Sequence, residues 1–325
     1  MSEQPAAGEA AIAVRGLGKV YRSGLLRRRK LALESLDLDV PGGGIFGFVG
    51  HNGAGKTTTI KLLMGLAAPT AGTAIVLGKP IGEPRALERV GFLPERPYFY
   101  DYLTGAEFLD FYGQLFSIPR PVRRERVARL LEAVELTDDA NAQLRTYSKG
   151  MLQRIGVAQA LINDPALVIL DEPMSGLDPA GRRLIRNLIL RMRDEGRTVF
   201  FSSHILSDVE LICDRIGILI RGRLHYTGGV QDLLDRHIDR VEVRAEDLTE
   251  EDARELTELA EDAAQHGPQW LFRVAEGGAQ QRLLKRLARA GATVVSVTPL
   301  RPSLEDLFMR DLTGARDVAE GEGER

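Results

Sequence analysis

The fold is decided by residues 45–66, IFGFVGHNGAGKTTTIKLLMGL. The first six residues read as a short buried strand running into a glycine-rich loop. From Thr57 onward, apolar residues recur at helical spacing. The loop itself, Gly50-His51-Asn52-Gly53-Ala54-Gly55-Lys56-Thr57, fits the pattern G-x-x-x-x-G-K-[ST]. Gly50, Gly53 and Gly55 let the backbone wrap closely around phosphates with its N–H groups pointing inward. The helix that starts at Lys56 aims its positive end at the same anion. Lys56 reaches terminal phosphates, and the Thr57 hydroxyl suits Mg²⁺.

Outward from this loop, apolar strands alternate with helical stretches. Upstream, AIAVRGL (11–17) and LALESLDLDV (31–40) alternate as strands do, and PGGG (41–44) is a turn. Downstream, residues 104–135 have helical periodicity interrupted by Pro119 and Pro121. GMLQRIGVAQALI (150–162) is a helix, ALVILD (166–171) a buried strand, and residues 178–196 a helix closed by glycine. TVFFSSH (198–204) is a strand, LSDVELIC (206–213) a helix, and IGILIRGRLHY (216–226) a hairpin turning at Gly222. This succession predicts an α/β fold with a mostly parallel sheet covered on both faces.

Near residue 229 the composition shifts. Residues 246–262 hold nine acidic side chains against one basic, Arg254, and residues 278–291 form an amphipathic helix. Strands at 240–245, 270–275 and 293–300, with a last helix capped by Ser303, predict a β-α-β-α-β-α pattern for a small second domain. Residues 1–10 and the end of the chain read as flexible tails.

The 325 residues fit two domains, and 44% hydrophobic content supports a sizeable core. Lys and Arg total 43 against 46 Asp and Glu, so no electrostatic footprint points to nucleic acid. The single cysteine, Cys213, excludes an internal disulfide and reads as packing. No apolar run reaches the length of a membrane span, and no secretory signal opens the chain.

Leu167–Asp171 followed by Glu172 is an apolar strand ending in two carboxylates. Beside a phosphate-binding loop, Asp171 is placed to meet the metal, and Glu172 to orient or deprotonate water. His204 also follows a strand, and ligands of parallel sheets gather at the carboxyl ends of strands.

In this order of motifs, residues 11–229 resemble the nucleotide-binding subunits of ABC (ATP-binding cassette) transporters. Tyr147-Ser148-Lys149-Gly150-Met151 stands where the family has its signature loop LSGGQ. Ser175-Gly176-Leu177-Asp178 resembles the D-loop, His204 the switch histidine, and Gly91–Glu95 the Q-loop. Tyr21 lies where the family stacks an aromatic on adenine. Two departures stand out: only Ser148 and Gly150 of the signature remain, and Glu95 replaces glutamine.

The resemblance implies a P-loop NTPase fold with an N-terminal antiparallel β subdomain and a helical insertion at about 96–163. A C-terminal α+β accessory domain would span 230–314, with tails at 1–10 and 315–325. It implies ATP held by Tyr21, Gly50–Thr58, Ser148 and Gly150, Mg²⁺ held by Thr57, Glu95 and Asp171, and catalysis by Lys56, Glu172 and His204. It implies a head-to-tail dimer with a second cassette and a membrane permease on another chain. The protein would then be cytoplasmic, on the inner face of the membrane. YSKGM, LPE and the C-terminal extension resemble the type-2 exporter group. The rival readings are a non-transport ATPase, a GTPase without its N-K-x-D motif, and a ligand-regulated ATPase.

Two surface features remain. Residues 92–116 carry nine of the 19 aromatics, where the family receives a coupling helix. Core filling and an exposed docking surface are both open for these rings. Arg27–Lys30 reads as a solvated loop, with an anionic surface as the alternative.

Overall fold

The computed structural model of the chain describes residues 10–23, 28–235 and 240–307. The chain divides between Val230 and Gln231 into two compact units. The first runs β1 (Ala10–Ser23), β2 (Arg28–Pro41), β3 (Ile45–Val49), α1 (Lys56–Leu63), β4 (Ala71–Val76), β5 (Lys79–Pro80), β6 (Val90–Leu93), α2 (Gly105–Leu115) and α3 (Arg120–Ala133). It continues with α4 (Lys149–Ala160), β7 (Leu167–Asp171), α5 (Pro179–Asp194), β8 (Thr198–Ser203), α6 (Leu206–Ile212), β9 (Arg215–Ile220) and β10 (Arg223–Gly229).

Two sheets share this unit. A four-stranded antiparallel sheet has the order β2-β1-β4-β5. In β2 the buried residues step from Leu33 to Leu36, Leu38 and Val40, so the two-residue period slips once. The slip coincides with a shift in β1–β2 register and a positive φ at Ser35, a bulge that keeps all four side chains on the core face.

The second sheet has six strands in the order β10-β9-β3-β8-β7-β6. All pairs are parallel except the β9–β10 hairpin. Every residue of β3, β7 and β8 is buried, as central parallel strands covered on both faces require. Phe46 stacks on Phe200 at 5.7 Å between ring centres. Burying each such ring contributes about 1.5–3 kcal/mol.

Helices α2, α3 and α4 lie in sequence between β6 and β7. Thr104 and Glu107 form a reciprocal capping box on α2. Pro119 is the N-cap of α3 and Pro121 sits in its first turn, where a missing N–H costs nothing. The two prolines therefore separate two helices by starting the second.

In the second unit, α7 (Val230–Asp235) begins one residue before the division. β11 (Arg240–Glu246), α8 (Glu250–Thr257), β12 (Asp262–His266), β13 (Gln269–Ala275), α9 (Gly278–Arg289) and β14 (Thr293–Leu300) follow. The sheet is antiparallel, in the order β12-β13-β11-β14. Val241, Val243, Phe272 and Val274 form its core with Leu256 of α8 and Leu283 and Leu287 of α9.

The expected β-α-β-α-β-α pattern misses β12. Its sequence, DAAQH, neither alternates nor carries large apolar residues, because an edge strand needs little burial. The reversal at Gly267 (φ 61°) supplies the hairpin. Ser303 and Asp306 cap each other as the sequence suggests, but the last helix leaves the described residues after Leu307.

The basic run also differs from the loop expected of it. Arg29 and Lys30 continue β2, opposite Arg22 and Tyr21 of β1. Arg27, most of the N-terminal tail and the C-terminal tail lie outside the described residues, while Ala10 already belongs to β1.

Candidate functional site

The ends of β3, β7 and β8 lie side by side, with Val49 in register with Ser203 and Asp171 with Ser202. The glycine-rich loop, the carboxylate pair and His204 therefore leave the sheet at one edge. A cleft of about 690 Å³ opens there.

The loop is built around close backbone approaches. A Cβ on Gly50 would lie 2.4 Å from the Leu219 carbonyl oxygen, and one on Gly55 2.7 Å from that of Ala32. Gly53 has φ +83° and open space where a side chain would stand, so this part of the loop faces the cleft unobstructed. Helix α1 starts at Gly55 with no side-chain cap. Helix geometry leaves its first N–H groups without intrahelical acceptors, a ready cradle for an anion.

Lys56 is buried and its Nζ donates to the Gly50 carbonyl at 2.6 Å. The same ammonium pairs with Glu172 Oε1 at 3.1 Å, the two side chains being 6% and 9% exposed. Glu172 Oε2 in turn lies 2.7 Å from His204 Nδ1. Glu172 has φ +53°, an uncommon conformation for a residue with a side chain.

Asp171 is 1% exposed and hydrogen-bonds the hydroxyls of Ser202 and Thr57. Burial pushes its carboxyl above the usual carboxylate range, the two hydroxyls oppose that shift, and the negative charges of Glu95 and Glu172 add to it.

Of the residues singled out in the sequence, Tyr21, His51, Asn52, Gly53, Gly55, Lys56, Thr57, Thr58, Glu95, Glu172 and His204 all line this cleft. Gly50, Ala54 and Asp171 are buried beside it. Lys19 Nζ sits 5.0 Å from the centre of the Tyr21 ring. The cleft also takes in Lys30, Leu31, Ala32 and Ser175. The first three come from β2, and only the cross-strand pairing of Lys30 with Tyr21 brings them here.

Ser148 and Gly150 are not in the cleft. They line a second pocket of about 760 Å³, with Lys149, Leu177 and Asp178. The two pockets share no residue, though Ser175 of one adjoins Gly176 of the other. Ser148 Oγ caps α4 by accepting from the Met151 N–H at 3.2 Å. Lys149 does not simply leave the surface: its Nζ lies 2.2 Å from where a Cβ on Gly176 would be. Its side chain covers the bare face of that glycine, whose φ is +70°.

The aromatic run divides. Phe108 is buried and Tyr100 half-buried, while Tyr98 and Tyr102 are 81% and 64% exposed. Tyr100 lies 5.4 Å from Phe111 and 6.1 Å from Tyr102, between ring centres. The Cys213 thiol sits against Gly47, and burial raises its pKa, as expected of packing.

A family model described as ABC transporter matches residues 33–175. A second, described as the C-terminal domain of DrrA1-3-like ATP-binding proteins, matches residues 228–311. An uncharacterised ABC transporter ATP-binding protein of Synechocystis is 44% identical over 299 residues, covering 91% of this chain and 83% of that protein. Nod factor export ATP-binding protein I of Cupriavidus metallidurans is 38% identical over 289 residues, covering 87% and 93%. A solved structure described as the ATP-binding subunit of an ABC transporter superposes with a TM-score of 0.63 at 28% identity, over 70% of this chain and 92% of its own. With these likenesses reaching through both units, and with the glycine-rich loop, Asp171–Glu172 and His204 meeting at one sheet edge, the chain belongs to the ATP-binding proteins of the ABC transporter family.

Proposed function

We propose that this chain hydrolyses ATP to drive export through a separate membrane permease. The observation that carries the reading is the run Lys56–Glu172–His204 inside the glycine-rich cleft, with both carboxylate oxygens of Glu172 engaged. A cation that cradles phosphates and a carboxylate that accepts a proton stand together where a terminal phosphate would rest.

The residues fit a Mg-nucleotide. Among the described residues no group of three or more His, Cys, Asp or Glu side chains is arranged to hold an ion. Thr57 and Asp171 offer two oxygens, with Glu95 at the cleft wall, a number that suits Mg²⁺ brought in with its phosphates. When bound, the ion neutralises charge on the phosphate oxygens. The protein does the positioning. The N–H groups of the loop and Lys56 hold the phosphates, and Tyr21 stacks on the base. Glu172 takes a proton from the water that attacks the γ-phosphorus as the bond to ADP breaks. His204 holds the Glu172 carboxylate in place.

The signature residues line a pocket separate from the cleft, which supports a head-to-tail pair: Ser148 and Gly150 of one chain would close on the nucleotide of the other. No helix among the described residues is long and apolar enough to cross a membrane. The family membership supports a permease on another chain, with this subunit at its cytoplasmic face.

Glu172→Gln tests the core of this reading. It should bind ATP and dimerise on ATP addition, read by light scattering, while phosphate release nearly stops. Turnover close to wild type would overturn it.

A further inference from the structure

Ser202 belongs to none of the motifs discussed above, yet it touches both carboxylate residues. It lies near the end of β8, wholly buried, directly opposite Asp171 in the parallel register. Its hydroxyl donates to Asp171 Oδ1 at 2.6 Å and accepts from the Glu172 N–H at 2.9 Å. The direction of both bonds follows from chemistry: a peptide N–H only donates, so the single hydroxyl proton goes to the carboxylate.

The second bond acts on an unusual backbone. Glu172 sits at φ +53°, where a side-chain-bearing residue persists only if its surroundings hold it. The peptide N–H of that same residue is tied to β8 by Ser202. From this conformation the Glu172 carboxylate returns over the cleft to meet Lys56 and His204. His204 follows Ser202 by two residues, so one strand end fixes both the backbone of Glu172 and the partner of its carboxylate.

We propose that Ser202 is a positioning residue for hydrolysis: its hydroxyl locks the Asp171–Glu172 peptide so that the Glu172 carboxylate is held at the phosphate end of the cleft. The role rests on the reading of Glu172 as the group that accepts the proton from water. Ser202 touches neither substrate nor the reacting atoms, and acts only through its two neighbours. An apolar residue at this position would leave a buried N–H without an acceptor and a buried carboxylate with one donor fewer.

The experiment uses the full chain and five forms: wild type, Ser202→Ala, Ser202→Cys, Glu172→Gln and the double variant of Ser202→Ala with Glu172→Gln. Steady-state ATPase gives kcat and KM, a fluorescent ATP analogue gives the nucleotide Kd, and a melt reports folding. Loss of a hydrogen bond that orients a functional group commonly costs roughly ten- to hundredfold in activity. Ser202→Ala should lower kcat by that factor while KM and Kd stay within about threefold. Ser202→Cys, nearly isosteric with a weaker donor, should fall between the two and keeps the test available if the alanine form does not fold. Ser202→Ala added to Glu172→Gln should leave the residual rate unchanged, because the group it positions is already inert. Unchanged kcat in a folded Ser202→Ala protein overturns the proposal. So does a parallel loss of kcat and nucleotide affinity, which is the signature of general damage to the site. If Glu172→Gln itself keeps turnover, the reading of Glu172 fails and takes this role with it. If Glu172→Gln is inert and Ser202→Ala is not impaired, only the role of Ser202 fails.

Discussion

The two pockets of the first unit differ in how their charges are met. In the cleft around Lys56 the charged groups are already engaged within the chain: Lys56 with Glu172, Glu172 with His204, Asp171 with Ser202. Around Ser148 the arrangement is open. Lys149 lies over a glycine, and among the described residues no carboxylate pairs with it. A buried charge left unpaired costs several kcal/mol, so the cleft has to be internally satisfied before any ligand arrives. An exposed cation beside a helix N-terminus carries no such cost and is free to meet an anion from outside the chain. This contrast supports one self-contained half-site and one that serves a second copy.

The largest effects should come from breaking the self-contained half. Glu172→Gln removes the proposed general base, and such a group contributes about 10²–10⁴-fold to rate. Lys56→Ala removes the buried cation of the cleft, proposed to hold the phosphates. Measured with radiolabelled ATP, it should lose turnover by a comparable factor and weaken Mg-ATP binding as well. It also leaves the Glu172 carboxylate buried without its cation, so the nucleotide-free protein should melt lower than wild type. If Lys56→Ala melted higher and still bound Mg-ATP normally, the pair would be a structural ion pair and not a nucleotide site.

The open half is tested by a substitution that keeps its structure. Ser148→Ala would confuse the result, because losing an N-cap costs about 1 kcal/mol of helix stability by itself. Aspartate caps helices as well as serine does, and a negative charge suits a helix N-terminus. Ser148→Asp should therefore leave the melting temperature unchanged or slightly raised. Facing a phosphate from the partner chain, the same charge is repulsive, and like charges across an interface cost several kcal/mol. ATP-induced dimerisation should weaken by at least about tenfold, and steady-state ATPase should fall with it. Mixing Ser148→Asp with Lys56→Ala should restore at most one working site per heterodimer. Normal ATP-driven dimerisation of Ser148→Asp would mean that the second pocket does not meet a nucleotide.

How much of this was legible beforehand differs between the same two regions for a physical reason. The glycine-rich loop is contiguous, and each residue type in it is demanded by the geometry of a phosphate, so eight residues sufficed to locate the cleft. The strand end at Asp171 could be placed because the run Leu167–Leu170 is apolar without interruption, whereas the strand read as 198–204 ends one residue earlier, at Ser203. Ser202 was missed: its importance comes from register with Asp171 on the neighbouring strand, a distance of 31 residues along the chain. Lys30 and Ala32 were missed likewise, since a bulged antiparallel pairing brings them to the cleft. In the second unit β12 escaped notice because an edge strand made of DAAQH carries no hydrophobic signal.

A smaller effect belongs to the outer wall of the cleft. Tyr21, proposed to stack on the base, brings no charge, and stacking on a base supplies about 1–3 kcal/mol. Tyr21→Ala should weaken ATP binding by roughly tenfold or somewhat more, with kcat little changed at saturating ATP. Lys19, lying over the same ring, would lose its aromatic neighbour without losing an ion pair. Tyr21→Phe keeps the ring and should bind normally. If Tyr21→Ala bound ATP with unchanged affinity, the base would rest on another part of the wall, such as Leu31 or Ala32.

The smallest effects separate packing from docking in the aromatic run. Tyr100 and Tyr102 sit two residues apart but are not equivalent. Tyr100 contacts Tyr98, Tyr102 and Phe111 and is half-buried, whereas Tyr102 is mainly exposed. Aromatic pairs contribute about 0.5–1.5 kcal/mol beyond the area they bury. Tyr100→Ala should therefore cost about 1–2 kcal/mol of stability, seen as a lower melting temperature. Tyr102→Ala, with less to lose, should stay within about 0.5 kcal/mol. Its loss should show instead in co-purification with a membrane subunit, where a large exposed ring anchors an interface. Both variants should bind ATP normally, because neither residue lines the cleft. Equal melting losses would make the whole run core. An unchanged melt with unchanged co-purification for Tyr102→Ala would move the docking surface away from these rings, leaving Tyr98, the more exposed of the two outer tyrosines, as the next residue to truncate.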